Sequence, residues 1–69
     1  MLTSQERKLL REWVRTNPIR REQVMRRALE HRPSVRVNVA PPGRSRRMLA
    51  VTANDFNFAL AQLTLLGEL

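Results

Sequence analysis

Seven residues in two short segments have side chains suited to phosphate groups and base edges. Guanidinium groups bond to phosphate oxygens and to the O6 and N7 atoms of guanine, and a glutamine amide matches the edge of adenine. Four of the seven lie between residues 20 and 27, and the other three lie between residues 44 and 47. These candidate contact residues are Arg20, Gln23, Arg26, Arg27, Arg44, Arg46 and Arg47.

The charge distribution along the chain points to the same segments. Residues 1–47 contain all 13 basic residues and four of the six acids, a net charge of +9. Residues 48–69 hold only Asp55 and Glu68, a net charge of −2. A GC-rich genome would explain the excess of arginine over lysine equally well, but it would not explain this uneven placement. A basic surface of this kind favours an anionic partner, either nucleic acid or an acidic protein surface.

Enzymatic and metal-binding chemistry has few candidate groups. His31 is the only histidine, Asp55 is the only aspartate, and cysteine and tyrosine are absent. General acid–base, nucleophilic and metal-assisted chemistry draw on these side chains. We therefore predict a non-enzymatic protein with no metal or cofactor. A favourable contact with a helix C-terminus is the expected role of His31.

A first helix is predicted over residues 3–15. Thr3 and Glu6 have the spacing of a capping box. Four residues at helical spacing form one apolar stripe, namely Leu9, Leu10, Trp13 and Val14. Because the tryptophan lies on this stripe, we expect it to anchor the core.

A second helix is predicted to follow after a turn of three to four residues. Asn17 is a good N-cap, Pro18 suits the first helical position, and the helix should reach about Arg32. Its apolar arc is Val24, Met25, Ala28 and Leu29. Two helices joined in this way are typical of a helix-turn-helix, whose second helix reads base edges in the major groove. The alternative is an ordinary helical pair with a solvated outer face.

A β-hairpin is predicted over residues 35–51. Valines at alternate positions 35, 37 and 39 indicate a strand with one buried face. Pro42 and Gly43 fit the two central positions of a type II turn, and Met48 to Val51 forms the return strand. The arginines beside the turn could contact phosphates, or they could protect the edges of the sheet from unwanted pairing.

A third helix is predicted from Ala53 to about Leu66. Thr52 and Asp55 have capping-box spacing, and Gly67 is a natural stop. One apolar arc should cover the core and consists of Phe56, Ala59, Leu60, Leu63 and Leu66. A second apolar arc lies on the far side of this helix, and so small a chain has few residues left to pack against it. We predict that it is a dimer or partner interface, made of Phe58, Ala61, Leu65 and Leu69.

Together these elements predict one small α+β domain over residues 1–69, with a helix-turn-helix-like pair, a β-hairpin and a C-terminal helix. No stretch of 18 apolar residues and no signal-peptide pattern occurs, so we expect a cytoplasmic protein without a membrane partner. The predicted core is Leu9, Leu10, Trp13, Val24, Ala28, Val35, Val37, Leu49, Val51, Phe56, Leu60 and Leu63.

The hairpin return and helix start resemble one known phage unit. Arg46 and Arg47, the strand leading into Val51-Thr52-Ala53, and the helix start at Asp55 are similar to the hairpin-to-helix unit of the phage lambda head-completion protein W. This chain differs in having an additional helix before its hairpin. The protein that it resembles is similarly short and basic, with a helix, a hairpin and a helix.

Two classes of function follow from these observations. The first is a small basic DNA-binding or regulatory module, acting as a homodimer, with helix 2 and the hairpin tip facing duplex DNA. The second is a phage-type protein-binding protein, either an inhibitor of a host protein or a joint like the head-completion proteins. In that case the basic face and the apolar C-terminal helix would meet an acidic partner. A salt titration of DNA binding separates the two classes.

Overall fold

The structure is a computed structural model that describes residues 2–30 and 33–69. Within those residues it contains three helices and one two-stranded antiparallel sheet. In chain order the elements are α1 (Ser4–Thr16), α2 (Pro18–Glu30), β1 (Val35–Asn38), β2 (Met48–Val51) and α3 (Ala53–Leu65). The predicted α+β architecture, with an N-terminal helix pair, a hairpin and a C-terminal helix, is confirmed.

Capping boxes begin both α1 and α3, as the sequence predicts. At α1 the Glu6 backbone N–H donates to the Thr3 hydroxyl at 3.1 Å, and the Thr3 N–H donates to the Glu6 carboxylate at 2.9 Å. Asp55 and Thr52 repeat this pair of bonds at α3, also at 3.1 and 2.9 Å. Each box satisfies backbone N–H groups that have no partner within the helix.

The junction between α1 and α2 is tighter than the sequence predicts. Asn17 alone separates the helices, so the expected turn of three to four residues is wrong. Its backbone carbonyl accepts from the Arg21 N–H at 2.9 Å, which begins the α2 hydrogen bonds. Its side-chain amide instead donates back to the Trp13 carbonyl at 2.9 Å and closes the end of α1. The predicted helix end at Arg32 lies outside the described residues.

The hairpin has the predicted strands and turn. Val35 pairs with Val51 and Val37 pairs with Leu49, which places all four side chains on the buried face. At the tip the Arg44 N–H donates to the Pro41 carbonyl at 3.1 Å, and Gly43 has a φ of +80°. The predicted turn needs that positive φ at its third position, where glycine has no side chain to clash.

α3 ends at Leu65, one residue before the expected boundary at Leu66, and Gly67 closes the helix as predicted. Gly67 has a φ of +71°, and its N–H donates to the Thr64 carbonyl at 3.1 Å. The Glu68 N–H donates to the Leu63 carbonyl at 2.9 Å. These two bonds form a Schellman motif, which closes a helix end with a left-handed residue.

The core lies where the three helices meet the inner face of the hairpin. The Trp13 and Phe56 rings lie side by side at its centre, with ring centroids 6.3 Å apart. Nine of the twelve predicted core residues are buried, and the other three, Leu9, Val24 and Leu60, are partly buried against them. Buried residues that the predicted core omits are Leu2, Val14, Val39 and Ala59.

Two leucines that the sequence assigns to buried arcs are exposed. Leu29 keeps 67% of its surface in solvent, and Leu66 is similarly open. Leu29 lies in the last turn of α2, where only Ala28 is fully buried. Leu66 follows the last residue of α3, so helical periodicity no longer fixes its direction. In both cases an apolar pattern extends beyond the part of the helix that packs.

Candidate nucleic-acid interface

The outer face of α2 presents three of the predicted contact residues together. Arg20, Gln23 and Arg27 are exposed and fall within an arc of about 60° at 3.6 residues per turn. Arg26, also exposed, lies to one side of this arc. The opposite side of α2 is anchored to the body of the protein through Ala28. The helix therefore presents mostly polar side chains outward, together with one apolar side chain on this face, Ile19, which keeps 73% of its surface exposed.

Ion pairs within the protein leave most of the outer face of α2 free to contact a ligand. Arg26 lies 3.8 Å from Glu22 in the ion pair expected of residues four apart, with both side chains largely exposed. Exposed pairs of this kind contribute little free energy, so an anion can displace the glutamate at small cost. Among the described residues, neither Arg20 nor Arg27 has a side-chain hydrogen bond or ion pair. Their guanidinium groups can meet a ligand without first losing a partner.

Arg21 differs from its neighbours in pointing toward the protein. Its guanidinium donates to the Val14 carbonyl at 2.9 Å and ties α2 to α1. Arg11 ties α1 to α3 in the same way, donating to the Gln62 side chain at 3.0 Å. Arg15 is paired with Glu12 on the surface of α1, and this contact lowers the pKa of Glu12. These arginines have structural contacts, and their side chains are less available to a ligand.

The hairpin tip holds the other three predicted contact residues. Arg44, Arg46 and Arg47 are all exposed. Arg47 lies 3.7 Å from the Glu6 carboxylate, which links the hairpin to the start of α1. The pKa of Glu6 is lowered, first by the hydrogen bond from the Thr3 backbone and further by Arg47. Arg44 and Arg46 have no such partner among the described residues, so they are the freer cations at the tip.

Arg36 is a surface cation that the sequence-based set leaves out. It lies on β1 between two buried valines, and its side chain is exposed on the outer face of the sheet. The alternation of apolar and polar residues in β1 already indicated that Arg36 is exposed, because residues next to buried strand positions point to solvent. Arg36 therefore extends the basic surface beyond the hairpin tip.

The apolar α3 surface consists of Phe58, Ala61 and Leu65 on the far side of the helix and of Leu69, which lies beyond the helix end. All four residues are exposed as the sequence predicts, and Leu65 keeps 86% of its surface in solvent. No charged residue lies between Phe56 and Gly67. Large apolar side chains grouped on one face are typical of a surface that contacts another molecule.

The described residues contain no group of three or more His, Cys, Asp or Glu side chains that could hold a metal ion. The role predicted for His31 lies outside the described residues. No helix in the described part of the chain is long and apolar enough to cross a membrane.

The proposals below rest on the fold and on the surface groups just described. The resemblance of the hairpin return to the head-completion proteins remains a prediction. No protein-family model, no curated protein and no solved structure matches this chain.

Proposed function

We propose that this protein is a small non-enzymatic module that binds duplex DNA. The observation that supports the proposal is the outer face of α2, where Arg20 and Arg27 are exposed beside Gln23 and lack partners among the described residues. The net charge of +9 over residues 1–47 would attract DNA to the protein. We include in the proposal the cytoplasmic location that the sequence predicts.

The two basic segments would have different roles. Arg20 or Arg27 can donate two hydrogen bonds to one guanine, and Gln23 can do the same for an adenine, each worth about 1–3 kcal/mol of discrimination. Arg26 would contribute positive charge beside them. Arg44, Arg46 and Arg47 at the hairpin tip would hold phosphates, which fixes the position of the protein on the duplex without reading its sequence.

A dimer would extend the site along the DNA. One chain measures 29 × 28 × 24 Å, which is less than one turn of B-DNA, about 34 Å. A two-fold dimer would place two copies of α2 at a fixed spacing, and the apolar α3 surface can bury itself against its own copy. We therefore include a homodimer through Phe58, Ala61, Leu65 and Leu69 in the proposal.

Fluorescence anisotropy with short duplexes of varied sequence tests DNA binding. We expect affinity to fall steeply as salt rises from about 50 to 200 mM, with some sequence preference retained. Arg27→Ala should relax the preference at one base position. Arg15→Ala removes the same charge from α1, where the arginine is already paired with Glu12, and is the matched control. No detectable duplex binding at about 50 mM salt would refute the proposal.

A second candidate function is supported by the exposed apolar α3 surface. The protein could bind another protein there, as a host-directed inhibitor or a structural joint of a phage-type assembly, while its basic face meets acidic groups. In this case DNA binding would be weak and indifferent to sequence. Purified protein that is monomeric at micromolar concentration and lacks sequence preference would favour this alternative.

A further inference from the structure

An open groove runs beside β2, next to the proposed phosphate contacts at the hairpin tip, and Phe58 of the apolar α3 surface forms part of its wall. Its volume is about 730 Å³, and it lies between β2, the start of α1 and the first half of α3. Leu2, Met48 and Phe58 supply apolar surface to its walls. Met48 keeps 39% of its surface exposed and Phe58 keeps 53%, so both can contact an incoming chain.

The backbone of β2 offers unpaired hydrogen-bonding groups at this groove. The Val39 N–H donates to the Arg47 carbonyl at 2.9 Å and the Arg47 N–H donates to the Asn38 side chain, so these two residues occupy a hydrogen-bonding position of the ladder through one backbone bond. Such pairs alternate along an antiparallel ladder, so Leu49 and Val51 also bond to β1. The N–H and C=O groups of Met48 and Ala50 therefore point away from β1, toward the free edge.

The sequence of β2 does not protect this edge. Proteins commonly block an open strand edge with a charged residue, a proline or a bulge. The four residues of β2, Met48–Val51, include no charge and no proline. On β1, by contrast, the residues between the buried valines are Arg36 and Asn38, and α2 packs beside that strand. The two edges of the hairpin thus differ in how open they are to another strand.

The charges around the groove select an acidic occupant. Glu6 and Asp55 line it; Arg47 offsets the charge of Glu6, whereas within the described part of the chain the Asp55 carboxylate bonds only to the Thr52 backbone N–H of its capping box. Arg7 lines the groove with no side-chain partner among the described residues. Arg46 is exposed just before β2 begins. Positive charge is therefore concentrated at the N-terminal end of β2, while the negative charge of Asp55 lies near its C-terminal end.

We propose that β2 accepts an extended acidic peptide segment of a partner protein as a third, antiparallel strand. The segment would bond to the backbone of Met48 and Ala50 and place apolar side chains against Phe58, which is β-strand addition. Its acidic residues would be at its C-terminal end, because that end of an antiparallel strand lies beside Arg46. A second copy of this chain fits less well, since its own edge strand β2 has no acidic residue to lie beside Arg46. The proposal goes beyond DNA binding and does not depend on it, and because it uses Phe58 and Arg46 the added strand would compete with the proposed dimer and with the phosphate contact of Arg46.

A synthetic peptide and amide NMR test this inference. The probe is an acetylated, amidated eight-residue peptide with alternating valine and threonine at its first six positions and two glutamates at its end. Titration should shift the backbone N–H signals of Met48 and Ala50 and slow their exchange with water, with smaller changes at Leu49 and Val51. Moving the two glutamates to the front should weaken binding several-fold. Shifts confined to α2 or to the end of α3 would overturn the proposal.

Backbone methylation of the same peptide supplies the sharpest control. Alternate N–H groups of an added strand face β2 and the others face solvent. Methylating one N–H that faces β2 should therefore weaken binding about tenfold, and methylating the next N–H should have little effect. Equal effects of the two methylations would contradict strand addition, as would no detectable binding at a peptide concentration of about 1 mM.

A variant of the protein gives an independent check. Ala50→Pro removes an N–H that points to the groove and leaves the bonds between β1 and β2 in place, which is where an edge strand tolerates proline. It should abolish peptide binding, while the affinity for duplex DNA stays unchanged if DNA binding occurs. Circular dichroism establishes whether the variant folds. If it does not fold, the two methylated peptides test strand addition with the unmodified protein. A folded Ala50→Pro protein that binds the peptide normally would overturn the proposal.

Discussion

Replacing Phe56 with alanine is the most direct test of the core. The side chain is 1% exposed, and its ring lies against Trp13 with a centroid separation of 6.3 Å. Removing a buried phenylalanine costs about 3–5 kcal/mol, because apolar contacts are lost and a cavity remains. A domain of 69 residues has a total unfolding free energy of only about 3–10 kcal/mol. We therefore expect Phe56→Ala to remove a large part of the stability of the fold.

Urea and thermal unfolding followed by tryptophan fluorescence and circular dichroism measure this loss. At about 4–8 °C per kcal/mol for a domain of this size, the melting temperature should fall by more than about 12 °C. Phe58→Ala is the matched control, since the same residue type two positions along α3 is 53% exposed. It should change the free energy of unfolding by less than about 1 kcal/mol. Similar losses for both variants would show that the buried face of α3 is assigned wrongly.

Four further predictions follow from the helix ends and the two proposed interfaces. The pKa of Glu6 is lowered in the folded state, chiefly by the hydrogen bond from the Thr3 backbone. The Glu6 carboxylate therefore stabilises the fold above the pKa that Glu6 has in the unfolded chain. This stabilisation is lost as the pH falls through the lower pKa of the folded state. Glu6→Gln should flatten acid unfolding curves in that range. Gly67→Ala should destabilise the protein by about 1 kcal/mol in urea titrations, because φ is +71° there and alanine resists it. Leu65→Glu should convert a dimer into a folded monomer in sedimentation experiments, and a surviving dimer would indicate another interface. Arg46→Ala should weaken binding to all duplexes similarly and reduce the salt slope by about 1, whereas a change in sequence preference would assign it to base reading.

The boundaries of the elements follow from the sequence because local contacts decide them. The capping boxes of Thr3 and Thr52 join residues three positions apart. The hairpin turn and the end of α3 need glycine at one position each, Gly43 and Gly67, because φ is positive there. Such short-range hydrogen bonds and backbone preferences depend little on the rest of the fold. They were therefore predictable from residue type and spacing.

The role of each arginine depended on tertiary contacts. Arg21 and Arg27 both lie on α2, but only Arg21 reaches across to the Val14 carbonyl. Arg47 lies beside Arg46 in the chain, and its pairing with Glu6 requires the hairpin to lie against the start of α1. Charge counts alone cannot separate arginines that hold the fold together from those that remain available to a ligand.

The apolar faces show most clearly that residue type and spacing do not determine which side chains are buried. Helical periodicity grouped Leu29 and Leu66 with core residues, but both are exposed, because no described element covers Leu29 and Leu66 lies beyond the end of α3. The groove beside β2 arises from the relative positions of a strand edge and two helix starts that are distant in the chain. Sequence determined which segments form helices and strands, since that choice is made within a few residues. Tertiary packing decided which surfaces stay open, because burial depends on contacts between residues far apart in the chain.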